Sequence, residues 1–225
     1  MNKIICRAAA LALCLALLLC LWGCGAQKST PDTSLQYPSL TWGMTPEEAI
    51  AALKLAEGDY TLTTEGATTE LTLSTGTCFG GKVLTVILRF DAPRPDTVCL
   101  TGATVYFTED TDMNAVLEKM VATYGEPANR DYPTSKGTTS EGHIVQWVTK
   151  ETLADAMSEE GIQAYQELLK DSFMDNSLNA PLTEIRWSDN YQWLHGEANQ
   201  PNTNYPASKT VVFQSGYAFL AYYNG

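Results

Sequence analysis

The chain has 225 residues, and 26 acidic side chains against 14 basic ones give it a formal net charge of −12. A surface this acidic repels phosphate backbones and anionic lipid headgroups, so the composition argues against binding to nucleic acid. Solubility alone accounts for such a charge, and a basic protein partner or bound cations are the alternatives.

The amino end has the layout of a bacterial lipoprotein signal. Lys3 and Arg7 precede fourteen uncharged residues, 8–21, and Leu21-Trp22-Gly23 leads directly to Cys24. We therefore predict that 1–23 is a signal peptide and that Cys24 carries the lipid. The alternative is an uncut signal anchor, but the apolar run is shorter than the ~20 residues that span a bilayer.

Lipidation at Cys24 would place the mature chain at the cell membrane, on the extracytoplasmic face. Two or more acyl chains are enough for stable anchoring. Residues 24–39 are rich in Gly, Gln, Ser, Thr and Pro, which predicts a flexible tether. Residues 40–225 are then one α+β domain, with a subdivision into 40–110 and 111–225 left open. Removing 1–23 takes away two basic residues and shifts the net charge to −14.

The first predicted element of the domain is a helix. Thr45-Pro46-Glu47-Glu48 combines an N-cap, a proline at the first turn and a capping box, and Gly58 is the predicted end. The pattern then changes to period two over four strands between 60 and 107. One strand face is apolar, including Leu84, Val86, Leu88 and Phe90, and the other is rich in Thr. The short connections favour antiparallel neighbours.

The second half repeats the helix-then-strands pattern. The predicted elements are a helix at 112–124, a strand at 144–148, a helix at 158–173, a strand around Ile185 and Trp187, a surface loop at 188–208, and a terminal hairpin pairing 211–213 with 217–223. The order predicts an antiparallel sheet of β-meanders with helices packed on one face. A repeat over 45–108 and 112–223 is compatible with this order, with an insertion at 150–182.

Only two cysteines, Cys78 and Cys99, follow Cys24. In a meander they fall at opposite ends of the sheet, about 20 Å apart by strand rise, whereas a disulfide needs Cα atoms within about 7 Å. We predict two free thiols.

Two motifs carry a resemblance to a known group. Trp42-Gly43-Met44-Thr45-Pro46-Glu47-Glu48-Ala49 and the Gly-x-Pro turn at 125–127 resemble the β-lactamase-inhibitor-protein-like group, which includes outer-membrane assembly lipoproteins of the SmpA/OmlA type. The resemblance covers 40–127 and, loosely, the C-terminal strands. It implies a helix-plus-meander domain that binds proteins or stabilises an envelope complex without catalysis. The insertion departs from the group, and no functional residue is carried over.

Tests for chemistry are mostly negative. His143 and His195 are far apart in sequence, and no HExxH or CxxC motif occurs, so we predict no metal site and no cofactor. Asp110-Thr-Asp112 opens like a calcium loop but lacks the required Gly and Glu, so we interpret these carboxylates as helix caps. No GxSxG elbow is present, and a cysteine–histidine pair is the weak alternative.

Aromatic residues supply the candidate binding site. Trp147 and Trp187 alternate within strands and are predicted core residues, whereas Tyr191, Trp193 and Tyr205 lie in a polar loop and are candidates for partner contact. They could equally fold back over the sheet. We expect a non-enzymatic, lipid-anchored envelope protein that binds another envelope or extracellular protein. The alternatives are a lipoprotein for glycans or small ligands and, more remotely, a cell-wall hydrolase.

Overall fold

The first helix begins where the capping motif places it. In the computed structural model, which describes residues 34–74, 76–94, 97–130, 143–169, 177–191, 194–195, 200–201 and 208–223, helix α1 is Pro46–Leu53. Thr45 Oγ1 accepts from the Glu48 amide and Glu48 Oε2 accepts from the Thr45 amide, which completes the capping box. The helix ends at Lys54, in the left-handed conformation at φ 56°, so the predicted end at Gly58 is wrong. Gly58, at φ 96°, lies in the turn that follows.

A four-stranded antiparallel meander with a short additional hairpin follows α1. Its strands are β1 (Tyr60–Glu65), β2 (Thr68–Leu73), β3 (Thr77–Cys78), β4 (Gly81–Arg94) and β5 (Thr97–Phe107). Strands β1, β2, β4 and β5 pair in sequence order, and β3 pairs only with the start of β4. Cys78 and Cys99 are therefore near opposite ends of β4, and both are free, as predicted.

One residue of β4 was assigned to the wrong face. Val83 lies opposite Phe107 and Thr85 lies opposite the next residue of β5, Tyr106. Strand β4 therefore has one extra residue here, Leu84, which has no partner on β5. Such a β-bulge changes which side chains point inward. Val83 is buried and Leu84 is 60% exposed, which corrects the prediction that Leu84 lies on the apolar face.

The second half builds a second meander after α2 (Met113–Tyr124). Its strands are β6 (Asn129–Arg130), β7 (Ile144–Val148), β8 (Thr183–Tyr191) and β11 (Ser208–Ser215). The residues between β8 and β11 include a two-stranded pair, β9 (Leu194–His195) with β10 (Gln200–Pro201).

The two meanders form one sheet of order β1-β2-β4-β5-β11-β8-β7-β6. The last strands of the two halves, β5 and β11, pair antiparallel from Thr210 opposite Tyr106 to Gln214 opposite Gly102. Each half is thus a helix followed by a four-stranded meander, and the halves meet at the centre of the sheet. The fold is α+β, as predicted, and the two helix-plus-sheet units share one sheet.

Helices α1 and α2 pack on one face of this sheet, in the main core. That core joins both helices to the inward-facing side chains of both meanders, including Ala49, Leu71, Leu88, Phe90, Val105, Val116, Met120, Trp147, Ile185, Trp187, Val211 and Phe213. Leu35 and Tyr37 also belong to it, although the sequence assigned them to the tether. Leu35 O accepts from the indole of Trp42 at 3.0 Å, which ties this segment to the fold.

The insertion forms a second hydrophobic cluster. It contains α3 (Leu153–Ala156), α4 (Glu159–Leu169) and a 3₁₀ turn (Ser177–Asn179). The predicted helix at 158–173 corresponds to α4, and its last four residues lie outside the described residues. The cluster comprises Leu153, Ala156, Met157, Tyr165, Leu178, Leu182 and Leu220.

The C-terminal segment is a helix, α5 (Tyr217–Tyr223), so the predicted second strand of a terminal hairpin is wrong. Strand β11 ends at Ser215, whose Oγ accepts from the Tyr217 amide, and the Gly216 amide donates to Leu182 O at 2.9 Å. Tyr217 packs against the main core, and Leu220, three residues later, is buried in the second cluster. Contacts at helical spacing on two sides outweigh the β-propensity of the aromatic residues. None of the helices in the described ranges is long and apolar enough to cross a bilayer.

Candidate functional site

A groove lies on the face of the sheet opposite α1 and α2. We call this face the outer face; its central residues are Ile87, Thr104 and Val212. The groove has a volume of about 580 Å³. Leu153 and Tyr165 of the insertion and Phe219 of α5 form its other wall. The helical additions to the sheet therefore turn its outer face into a one-sided cleft.

Strand register explains the floor of the groove. Thr104 of β5 lies opposite Ile87 of β4 on one side and opposite Val212 of β11 on the other. Because successive side chains of a strand alternate between faces, these three residues point away from the core that holds Val105 and Val211. All three are half-buried, which leaves a Thr and aliphatic surface accessible to a ligand.

A polar network fixes one end of the outer face. Arg186 Nη2 donates to Gln214 Oε1 at 2.8 Å, and Arg186 Nε lies 2.9 Å from Glu184 Oε1. Glu184 Oε1 also accepts from Gln146 Nε2 at 3.0 Å, and Gln146 Oε1 accepts from Asn129 Nδ2 at 2.8 Å. The side chains of β6, β7, β8 and β11 thus hold one another in place, which makes this part of the face a preorganised surface.

A second polar group lies at the other end of the floor. Asp91 accepts from Arg89 Nε at 3.1 Å and from Thr68 Oγ1 at 2.9 Å, and Thr101 also donates to it. Thr101 is the extra residue of a bulge, because Arg89 pairs with Gly102 and the next residue of β4 pairs with Leu100. The bulge directs the Thr101 hydroxyl toward the carboxylate of Asp91.

The insertion wall is aromatic. The rings of Tyr165 and Phe219 are edge-to-face with centroids 5.6 Å apart, and Tyr165 makes a similar contact of 5.3 Å with Tyr223. Phe219 is 45% exposed. Aromatic residues, including Phe, are enriched at the centres of protein interfaces, so Phe219 is a candidate contact for a partner.

The structure leaves the aromatic residues selected from the sequence untested. Tyr191 is the last residue of β8 and pairs with Ser208, and only its backbone is described. Trp193, Tyr205 and the lipidation candidate Cys24 lie outside the described residues. The residues that the structure does bring together, Thr104 and Phe219 among them, were not selected. The Thr-rich alternation pointed to the floor, but the wall depends on contacts between segments far apart in sequence.

Cys78 has the environment of a structural thiol. It is buried, and burial raises its pKa to about 12, with a hydrogen bond from Tyr37 opposing this only in part. A nucleophilic cysteine needs a lowered pKa. Burial and the nearby carboxylate of Asp91 also raise the pKa of Cys99.

We expect the buried thiol to make the fold sensitive to alkali. The unfolded thiol ionises near 9.0, whereas the folded one stays protonated to about 12, so deprotonation favours the unfolded chain between these values. The stability that the protonated Cys78 thiol contributes is intact below pH 9.0 and is lost as the pH rises toward 12. Burial also raises the pKa of Tyr37 and of Tyr124, so their ionisation acts in the same direction. The free energy of unfolding, measured by urea titration at several pH values across this range, should decline by a few kcal/mol. Rapid alkylation of Cys78 in the folded chain at about pH 8 would contradict the burial argument.

The remaining candidates for chemistry are accounted for locally. Asp112 caps α2, as predicted, with its Oδ1 accepting from the amides of Asn114 and Ala115. His143 Nδ1 lies 3.2 Å from Asp189 Oδ2, and both side chains are partly exposed. Within the described ranges, no three His, Cys, Asp or Glu side chains cluster as a metal site requires.

Comparisons with known proteins return nothing for this chain. No protein-family model, no curated protein and no solved structure matches it. Any functional conclusion therefore depends on the sequence motifs and on the geometry of the groove.

Proposed function

We propose that this chain is a non-enzymatic lipoprotein of the bacterial envelope, anchored at Cys24, whose outer sheet face binds another protein. The groove is the observation that carries the proposal. It joins a β-branched floor to a half-exposed phenylalanine and is bordered by fixed polar side chains. This combination of an apolar centre with a polar rim is typical of protein interfaces.

The electrostatics favour a basic partner. Among the described residues, the groove lining includes three acidic residues, Glu70, Asp91 and Glu184, and one basic residue, Arg89. Arg89 pairs with Asp91 and Arg186 pairs with Glu184, so Glu70 is the carboxylate without an ion pair to a described residue. The chain as a whole carries a net charge of −12. Complementary potentials speed association and disfavour the wrong partners. The similarity of the 42–49 and 125–127 motifs to protein-binding envelope lipoproteins supports a protein as the partner.

Position 104 provides the sharpest test of this proposal. We expect the Thr104→Arg chain, isolated from its own membranes, to recover its partner about tenfold less well, equivalent to ~1.4 kcal/mol. Thr104 lies at the centre of the groove floor, where an added guanidinium fills space and repels a basic partner. Thr123→Arg, the same change at an exposed position of α2, is the matched control and should recover the partner normally. Equal recovery by both variants would contradict the proposal.

A glycan or small-ligand site is the second candidate, because the exposed ring of Phe219 could stack on a sugar. A thermal-shift screen with cell-wall sugars distinguishes the two. Stabilisation by a sugar that is lost in Phe219→Ala would favour the glycan, and absence of any shift favours the protein partner.

A further inference from the structure

Among the described strands, β1 is an edge of the sheet with no strand beyond it. It is the first strand in the spatial order, and five of its six residues are exposed. At the opposite edge, the described part of β6 has two residues. An edge strand presents unpaired amide and carbonyl groups that can pair with an added chain.

This edge lacks the features that usually prevent such pairing. All six residues of β1 pair with β2 in continuous register, without a bulge. Its sequence, Tyr-Thr-Leu-Thr-Thr-Glu, contains no proline and no lysine. Proteins normally protect edges with bulges, prolines, lysines or very short strands. Strand β1 therefore remains a competent template.

The core is also incomplete at this edge. Leu62 lies opposite Leu71, which is fully buried, so both point to the main-core side of the sheet. Leu62 is nevertheless 45% exposed, because no strand lies beyond it among the described residues. An added strand would cover Leu62 with one of its apolar side chains.

The acidic residues near β1 determine which kind of added strand is favoured. Residues 55–81 contain four acidic residues and no basic one. Glu65 and Glu70 project on the outer-face side, as their pairing with Thr68 and Thr63 shows, and neither forms an ion pair with a described residue. A second copy of this acidic edge is therefore disfavoured, and an extended basic segment is favoured.

We propose that β1 binds a partner by strand addition, and that the added segment alternates Lys or Arg with aliphatic residues. The aliphatic side chains pack over Leu62, and the basic ones face Glu65 and Glu70. Backbone hydrogen bonds supply affinity, and the alternating side chains supply specificity. This inference rests on the proposed protein-binding function and names the chemistry of one partner segment.

A defined peptide tests strand addition directly. The probe is the blocked peptide acetyl-Lys-Val-Lys-Val-Lys-Val-Lys-amide, added to the full chain in detergent, with hydrogen exchange followed residue by residue. We expect alternate amides of β1 to exchange about tenfold more slowly, and a Glu-for-Lys peptide to give no protection. The exposed variant Glu65→Lys, which leaves the groove lining unchanged, should reduce the protection given by the Lys peptide.

Each other outcome overturns the inference in a recognisable way. Unchanged exchange in β1 rejects strand addition. Protection at Ile87 and Thr104 instead would assign the peptide to the groove. Protection of β1 that increases with protein concentration alone would identify a second copy as the occupant. If the peptide leaves exchange in β1 unchanged while Thr104→Arg still loses its partner, the proposed function stands without strand addition. If exchange in β1 is unchanged and Thr104→Arg also recovers its partner normally, neither proposal stands.

Discussion

The Cys24→Ser chain is expected to lose its lipid completely and to leave the membrane fraction. A serine hydroxyl cannot replace the thiol that forms the lipid thioether. Each buried methylene of an acyl chain contributes ~0.8 kcal/mol, so loss of two chains removes far more free energy than peripheral contacts can replace. Metabolic labelling with radioactive palmitate and fractionation of the cell measure the effect.

The chain offers a matched control for this experiment. Cys20→Ser makes the same change four residues upstream, inside the predicted signal peptide, and should leave both the label and the location unchanged. Mass spectrometry adds an independent readout, since the mature protein should begin at Cys24. Label retained by Cys24→Ser, or a mature protein that still carries 1–23, would contradict the lipoprotein prediction and, with it, the envelope location.

The elements that could be predicted from the sequence are those fixed by neighbouring residues. Thr45 and Glu48 cap α1 across one turn, and Asp112 caps α2 in the same way. The free thiols could be predicted because the meander order separates Cys78 and Cys99 whatever the details of packing.

The errors arise where distant contacts decide the local conformation. Leu84 points outward because β4 has a bulge relative to β5, and the residue type at position 84 does not predict this bulge. The segment after Ser215 is a helix because the Gly216 amide donates to the Leu182 carbonyl oxygen and Leu220 packs in the second cluster. The groove has the same origin, since its wall comes from the insertion and from α5, far in sequence from the strands of its floor. The sequence could therefore indicate the polar face but not the cleft built on it.

The Phe213→Ala chain is expected to lose ~3–5 kcal/mol of stability, the largest effect of any single substitution considered. Phe213 is fully buried on β11, and its ring contacts Tyr37, Phe79 and Tyr124 at centroid distances of 5.6, 6.4 and 6.3 Å. Truncation removes the transfer free energy of the ring and leaves a cavity among rigid neighbours. For a domain of this size the melting temperature should fall by roughly 10 °C.

Phe219→Ala is the matched control, because the same truncation at a half-exposed ring should cost under about 1 kcal/mol. Because of the position of Phe213, the experiment also tests whether the two meanders unfold together. Strand β11 pairs with β5 of the first half and with β8 of the second, so both meanders depend on it. Urea unfolding of Phe213→Ala should therefore remain a single transition at a lower midpoint, observed alike by fluorescence and circular dichroism. Two separated transitions, one of them unchanged from the wild type, would mean that the halves fold independently and that the central β5–β11 pair does not join them into one cooperative unit.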